Sequence, residues 1–130
     1  MTRVFLDANI LFSAAWREGS IDKILGTPGV QLVTSPYALM EAVRNIQIKR
    51  PSATERLSDM AGEVEVSPAA TPADDYGLPD KDRPILEAAI GAGCTILLTG
   101  DVSHFGHLIG AEAGGVKVMT VSMFLASLKD

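Results

Sequence analysis

The sequence contains one cysteine, Cys94, so it can close no internal disulfide, and nothing in it depends on an oxidising compartment. Cys94 sits just before an apolar run and reads as a small buried hydrophobe rather than a catalytic thiol. Long apolar stretches are lacking too. No segment approaches the ~18 residues of a membrane span, and the N-terminal run is interrupted at Asp7, unlike a signal peptide. A cytoplasmic protein without membrane attachment is therefore expected. Basic residues are in deficit: 11 Lys and Arg against 16 Asp and Glu leave a net charge of −5, the wrong sign for passive attraction to nucleic acid. An enzyme whose carboxylates hold metal ions stays open, because bound cations reverse the local field where a phosphate must sit. Aromatic residues make up only 5%, yet 47% of the chain is hydrophobic, which describes a compact protein rather than a disordered or fibrous one.

What is present is alternation. A length of 130 residues suits one domain, 1–130, with one core. The runs "RVFL" (3–6), "VQLVTS" (30–35), "TILLT" (95–99) and "VKVMTV" (116–121) read as strands buried on both faces, and "EVEV" (63–66) as an edge strand. Helical patterns lie between them. Residues 36–49 set Leu39, Ala42, Val43 and Ile46 on one stripe; 51–62 open with a Ser-x-x-Glu capping box, Ser52 with Glu55; and 84–92 stop before Gly93. Shorter helices are expected over 10–17, 20–26 and 122–128, the last with Ser122 as its N-cap. The pattern predicts an α/β three-layer sandwich, a mostly parallel central sheet of about five strands flanked by helices. The Pro- and Asp-rich stretch 67–84 reads as a loop whose length points to function or mobility.

In such a fold ligands bind beyond the carboxyl ends of the strands, where the strand order reverses. Asp7 follows "VFL" and Asp101 follows "LLTG", so both fall at strand ends. Asp82 lies at the mouth of a helix, and Glu41 in the first turns of another. Each has a plainer use. Asp7 and Asp82 are placed to cap helices, Asp101 to form an Asx-turn with Ser103, and Glu41 to sit solvated beside Asn45, away from the apolar stripe. Asp74, Asp75 and Asp80 belong to the loop, although Asp80 competes with Asp82 at the helix start.

Electrostatics makes the four acids worth treating together. Two carboxylates about 4 Å apart repel by about 1 kcal/mol in water and about 4 kcal/mol at an effective dielectric near 20, so a cluster needs cations or protons. Carboxylates without His or Cys suit Mg²⁺ or Mn²⁺ and suit zinc poorly. His104 and His107, spaced i, i+3 after Asp101, hint at a transition metal, but no third soft ligand is evident from the sequence.

Four segments, "VFLDANILFSA", "SPYALMEAVRNI", "DKDRPILEAAIGAGCTILLTGD" and "SHF", taken in this order, resemble the PIN-domain nucleases, above all the VapC-like toxins and their stand-alone relatives. The resemblance implies that Asp7, Glu41, Asp82 and Asp101 coordinate Mg²⁺ or Mn²⁺ for RNA cleavage, and it selects Asp82 over Asp80. It further implies that Asn9 and Thr99 support the cluster. An RNA substrate, a small antitoxin partner and a homodimer follow from the same likeness. Removing the four acids changes the net charge from −5 to −1, so the acidity is largely the implied site. Arg44, Lys81 and Arg83 are candidates for RNA phosphate contacts or are solvated surface charges. The middle of the chain is shorter, and the charge more negative, than in many toxin members. Two other readings stand beside the nuclease: a catalytically weak binding or assembly module, and an α/β phosphatase using Asp7 as a covalent nucleophile. For the phosphatase an Asp-x-Asp pair is expected, whereas the third position here is Asn9.

Overall fold

The computed structural model describes residues 1–16 and 20–129. Its strands are β1 (Thr2–Leu6), β2 (Val30–Thr34), β3 (Glu65–Val66), β4 (Ile96–Leu98), β5 (Glu112–Ala113) and β6 (Val116–Met119). They form one six-stranded sheet in the order β3-β2-β1-β4-β6-β5, in which every neighbouring pair is parallel except β5 with β6. Val4, Phe5 and Leu6 are buried in succession, as are Leu97 and Leu98. Successive strand side chains point to opposite faces, so both faces of the central strands are covered, as the unbroken apolar runs predict.

The expected five strands become six. The addition is β5, which returns along β6 through Gly114 and Gly115, with φ of 59° and 83°. A Gly-Gly pair supplies the two left-handed residues of a tight hairpin, so the signal was present in "EAGGVK".

The helices are α1 (Ala8–Trp16), α2 (Pro36–Lys49), α3 (Thr54–Ala61), α4 (Arg83–Gly91) and α5 (Val121–Ser127). Arg17, the expected end of the first helix, lies outside the described residues, and of the short helix expected at 20–26 a 3-10 turn, Ser20–Lys23, is formed. Two expected caps are not made. Ser52 falls inside a 3-10 turn, Pro51–Ala53, because a single residue, Arg50, separates α2 from Pro51 and the chain must reverse at once; α3 then starts from Ala53 with no side-chain cap. At the last helix the N-cap is Thr120, whose Oγ1 accepts the Met123 N–H at 3.2 Å, since β6 ends at Met119 and leaves one residue for the turn. Ser122 is already helical. The 67–82 loop lies against α4: Thr71 N–H donates to the Glu87 carbonyl at 3.0 Å and Ala73 N–H to the Glu87 carboxylate at 3.0 Å. Cys94 is buried and its thiol is pushed up to about 11 by that burial, which suits a packing role. Among the described residues no helix is long and apolar enough to cross a membrane.

Strand order reverses between β1 and β4: the chain first builds outward through β2 and β3, then crosses back to add β4 on the other side of β1. The crevice beyond the carboxyl ends of these two strands is where a parallel sheet presents a ligand site.

Candidate active site

Leu6 and Leu98 are paired across β1 and β4, so the residues that follow them emerge side by side. Asp7 N–H donates to the Leu98 carbonyl at 3.1 Å, and the Asp7 carbonyl accepts from Ile10 and Leu11, which starts α1. Its carboxylate takes neutral donors: Oδ1 accepts the Ala8 N–H at 2.6 Å and Oδ2 the Thr99 hydroxyl at 2.8 Å. Thr99 Oγ1 in turn accepts the Asp101 N–H at 3.1 Å, and Asn9 Oδ1 accepts the Gly100 N–H at 3.0 Å. Thr99 and Asn9 thus tie the two strand ends together around Asp7.

The other acids arrive from helix starts and a turn. Ser35 caps α2 by accepting the Ala38 N–H at 3.1 Å, with Pro36 in the first turn, and Glu41 stands half-buried one turn further on. Asp82 occupies the N-cap position of α4, yet its side chain makes no capping bond and remains free to face the crevice. Asp101 does form the turn with Ser103: Oδ1 accepts the Ser103 hydroxyl at 2.8 Å and the His104 N–H at 3.0 Å. That turn uses one oxygen and leaves Oδ2 over.

Asp7, Glu41, Asp82 and Asp101 all line a single cleft of 160 Å³, together with Asn9 and Lys81. Arg44 lines an adjoining groove with Tyr37 and Met40, which shares Glu41 and Lys81 with the cleft. Arg83 is not brought to the rim. Its Nε donates to the Ala73 carbonyl at 3.1 Å and lies 3.8 Å from Glu87, in a separate groove beside Asp74, because an i, i+4 partner and the overlying loop draw it the other way. Sequence reasoning missed Phe12 and Lys49, which also line the cleft. For Lys49 a signal existed: Glu41, Asn45 and Lys49 follow i, i+4, i+8 along one face of α2.

His104 is the other residue whose position was not foreseen. Its Nδ1 lies 2.9 Å from Asp82 Oδ2 and 3.0 Å from Asp101 Oδ2. Neither contact has hydrogen-bond geometry, so Asp82 Oδ2 and His104 Nδ1 are buried atoms without a hydrogen-bond partner. His107 goes elsewhere, with Nε2 2.6 Å from the Tyr76 carbonyl.

Burial sets the electrostatics. It pushes the Asp7 carboxyl up to about 6; the Thr99 and Ala8 donors oppose the rise, and the Asp82 and Glu41 charges add to it. Asp82 is also raised, by burial first, against the pull of His104. Burial acts on Asp101 in the same sense, but the His104 N–H and the Ser103 hydroxyl outweigh it and hold the carboxyl below its ordinary range. Tyr37, whose hydroxyl donates to the Lys81 carbonyl at 2.7 Å, is raised by burial and by Glu41. A half-dry crevice rich in carboxylates, in which Asp82 Oδ2 and His104 Nδ1 face each other at 2.9 Å without a hydrogen bond, fits a hard or borderline divalent cation.

No protein-family profile matches the chain, nor does any curated protein. Solved structures do. VapBC2 from Rickettsia felis, bound to a DNA fragment from its promoter, superposes with a TM-score of 0.67 at 14% identity, covering 92% of this chain and 98% of that one. PAE2754 from Pyrobaculum aerophilum gives 0.69 at 17% identity over 98% and 96% of the two chains. VapBC-1 from nontypeable Haemophilus influenzae gives 0.62 at 15% identity over 93% and 99%. At these identities the likeness is one of backbone architecture, and it runs nearly end to end. The chain therefore has the fold of the VapC-like PIN domains that its sequence resembles.

Proposed function

We propose that this chain is a divalent-metal-dependent endoribonuclease, hydrolysing RNA phosphodiester bonds as the toxin of a toxin–antitoxin pair. The observation that carries the reading is the meeting of four acidic side chains, from four separate stretches of sequence, in one cleft at the reversal point of a parallel sheet. Asp7 and Asp101 are the primary metal-holding groups in this reading, with Glu41 and Asp82 completing the set. When bound, Mg²⁺ or Mn²⁺ supplies Lewis acidity toward the scissile phosphate and the attacking water. The chain does the positioning. Thr99 and Asn9 hold Asp7 and the β4 end in register, while Lys49 and Lys81 offset phosphate charge at the cleft wall, with Arg44 one groove away. Both Asp7 oxygens are already hydrogen-bonded acceptors, which favours a fixed ligand over a covalent nucleophile.

A single domain over 1–130, a cytoplasmic location, a homodimer and a small antitoxin partner belong to the same reading, and VapBC assemblies of this fold support the last of these. The test is cleavage of a labelled RNA by the purified chain with Mg²⁺, with Mn²⁺ and with a chelator. We expect cleavage with either ion, none with the chelator, and a loss on the order of 10³-fold in Asp101→Ala. Cleavage that survives chelation, or is undiminished in Asp101→Ala, excludes the proposal.

A further inference from the structure

His104 stands against two of the acids that line the cleft, and neither the acidic set nor a phosphate contact accounts for it. It stands on the turn after β4, three residues beyond Asp101, and its ring is held between two carboxylates at 2.9 and 3.0 Å. Two donors in cis positions on an octahedral ion, at bonds of about 2.1 Å, lie about 3 Å apart, so these spacings are those of neighbouring ligands on one ion. The donor atoms of Asp82, Asp101 and His104 all fall within 4.8 Å of one another. Asp82 is 9% exposed, and its buried Oδ2 has no hydrogen-bond partner, nor has the nitrogen that faces it.

We propose that His104 Nδ1 is itself a metal ligand, joining Asp82 and Asp101 in a mixed nitrogen and oxygen set that favours Mn²⁺ over Mg²⁺. The proposal rests on the metal-dependent reading above and adds to it a ligand and a preference. Imidazole is a borderline donor: it strengthens binding of a first-row transition ion, whereas Mg²⁺ gains little from exchanging an oxygen for nitrogen. His107 does not share the role, being engaged with the Tyr76 carbonyl.

The competing explanation is that the ring is a positive counter-charge between two carboxylates. The two differ in sign. A ligand makes Mn²⁺ bind more tightly than it does without the ring, whereas a counter-charge competes with the ion. Purified wild type, His104→Ala and His104→Gln are therefore titrated calorimetrically with Mn²⁺ and with Mg²⁺, and pulsed electron paramagnetic resonance of bound Mn²⁺ reads any directly coordinated nitrogen. Circular dichroism melting establishes that the variants fold, and His104→Gln keeps side-chain bulk if the alanine variant does not. We expect nitrogen coupling in wild type and none in either variant. Mn²⁺ affinity should fall about tenfold or more in both variants, with Mg²⁺ affinity changing by less than about threefold. Absent nitrogen coupling in manganese-loaded wild type, or Mn²⁺ affinity unchanged or increased in the variants, overturns the assignment. Nitrogen coupling without RNA cleavage would leave this ligand standing and remove the nuclease; metal-dependent cleavage without nitrogen coupling does the reverse.

Discussion

The two ends of β1 carry charge under opposite conditions. Near its start, the Arg3 guanidinium meets the Glu65 carboxylate in a paired contact of 3.1 and 2.7 Å, and Arg3 Nε donates to the Ala92 carbonyl at 2.8 Å. The bond from Arg3 holds Glu65 below its ordinary range. Just past the other end, Asp7 is 5% exposed, its hydrogen-bond donors are neutral, and burial drives its carboxyl up to about 6. One strand therefore presents a matched, solvated pair at one end and an uncompensated, dry acid at the other. Charge that serves architecture is neutralised within the fold; charge left unmatched in a crevice costs stability and is expected where a cation is to come from outside.

Asp7→Asn should break the functional half of the contrast, lowering metal-dependent RNA cleavage on the order of 10³-fold while the circular dichroism spectrum stays native. If Asp7 is an ordinary structural acid, cleavage persists. Next in size, Mn²⁺ at about 100 times its Kd should stabilise the wild type by about 2.7 kcal/mol in thermal melts. Asp101→Ala should lose most of that gain, and a gain of equal size in the variant would show that the ion binds elsewhere.

A smaller effect should show in the metal-free protein. Because the Asp7 carboxyl is raised in the folded state from 3.8 to about 6, the fold binds its proton more tightly than the unfolded chain does. The stability conferred by that proton is complete below about pH 4 and is lost as pH climbs through about 6. Ionised Asp7 then costs roughly 3 kcal/mol at pH 7. Asp7→Asn removes that cost but gives up the Thr99 bond, worth about 1 kcal/mol. Urea unfolding with chelator present should therefore find the variant about 2 kcal/mol more stable at pH 7, with the advantage shrinking toward pH 4.5; a constant difference would mean that Asp7 is not strained by its surroundings. The smallest change belongs to the other end of the strand. Arg3→Ala should cost about 1 kcal/mol, from the bond to the Ala92 carbonyl rather than from the exposed pair, and leave Mn²⁺ affinity untouched. A weakened ion site in that variant would undo the separation of the two ends.

Much of this was legible in the residues. The central strands could be read because strands covered on both faces need unbroken apolar runs, and α2 because its stripe and its Ser35-Pro36 entry agree. Caps were harder. Ser52 and Ser122 have the right chemistry, but the lengths of the neighbouring turns decided which residue stands at the first position. Strand β5, at two residues, is too short to show a period, and only its Gly114-Gly115 turn announced it. Asp7 and Asp101 were located by their strands, whereas the helical wheel put Glu41 beside Asn45 on the face away from the apolar stripe, where a solvated acid needs no further explanation. Lys49 and Arg83 show the same limit from opposite sides: a lysine that the sequence did not single out lines the cleft, and an arginine adjacent to Asp82 turns away from it.

By itself, then, the sequence determined the alternation of strand and helix, the double covering of the sheet and the placing of two acids at strand ends. These are properties of periodicity and local chemistry, which each segment carries on its own. Only the tertiary structure decided that β4 returns beside β1, that Glu41 and Asp82 face the same crevice as Asp7, and that the His104 ring sits between two carboxylates. Those outcomes depend on how distant segments cross and pack, and a side chain's partners across such a gap are set by geometry that no local pattern encodes.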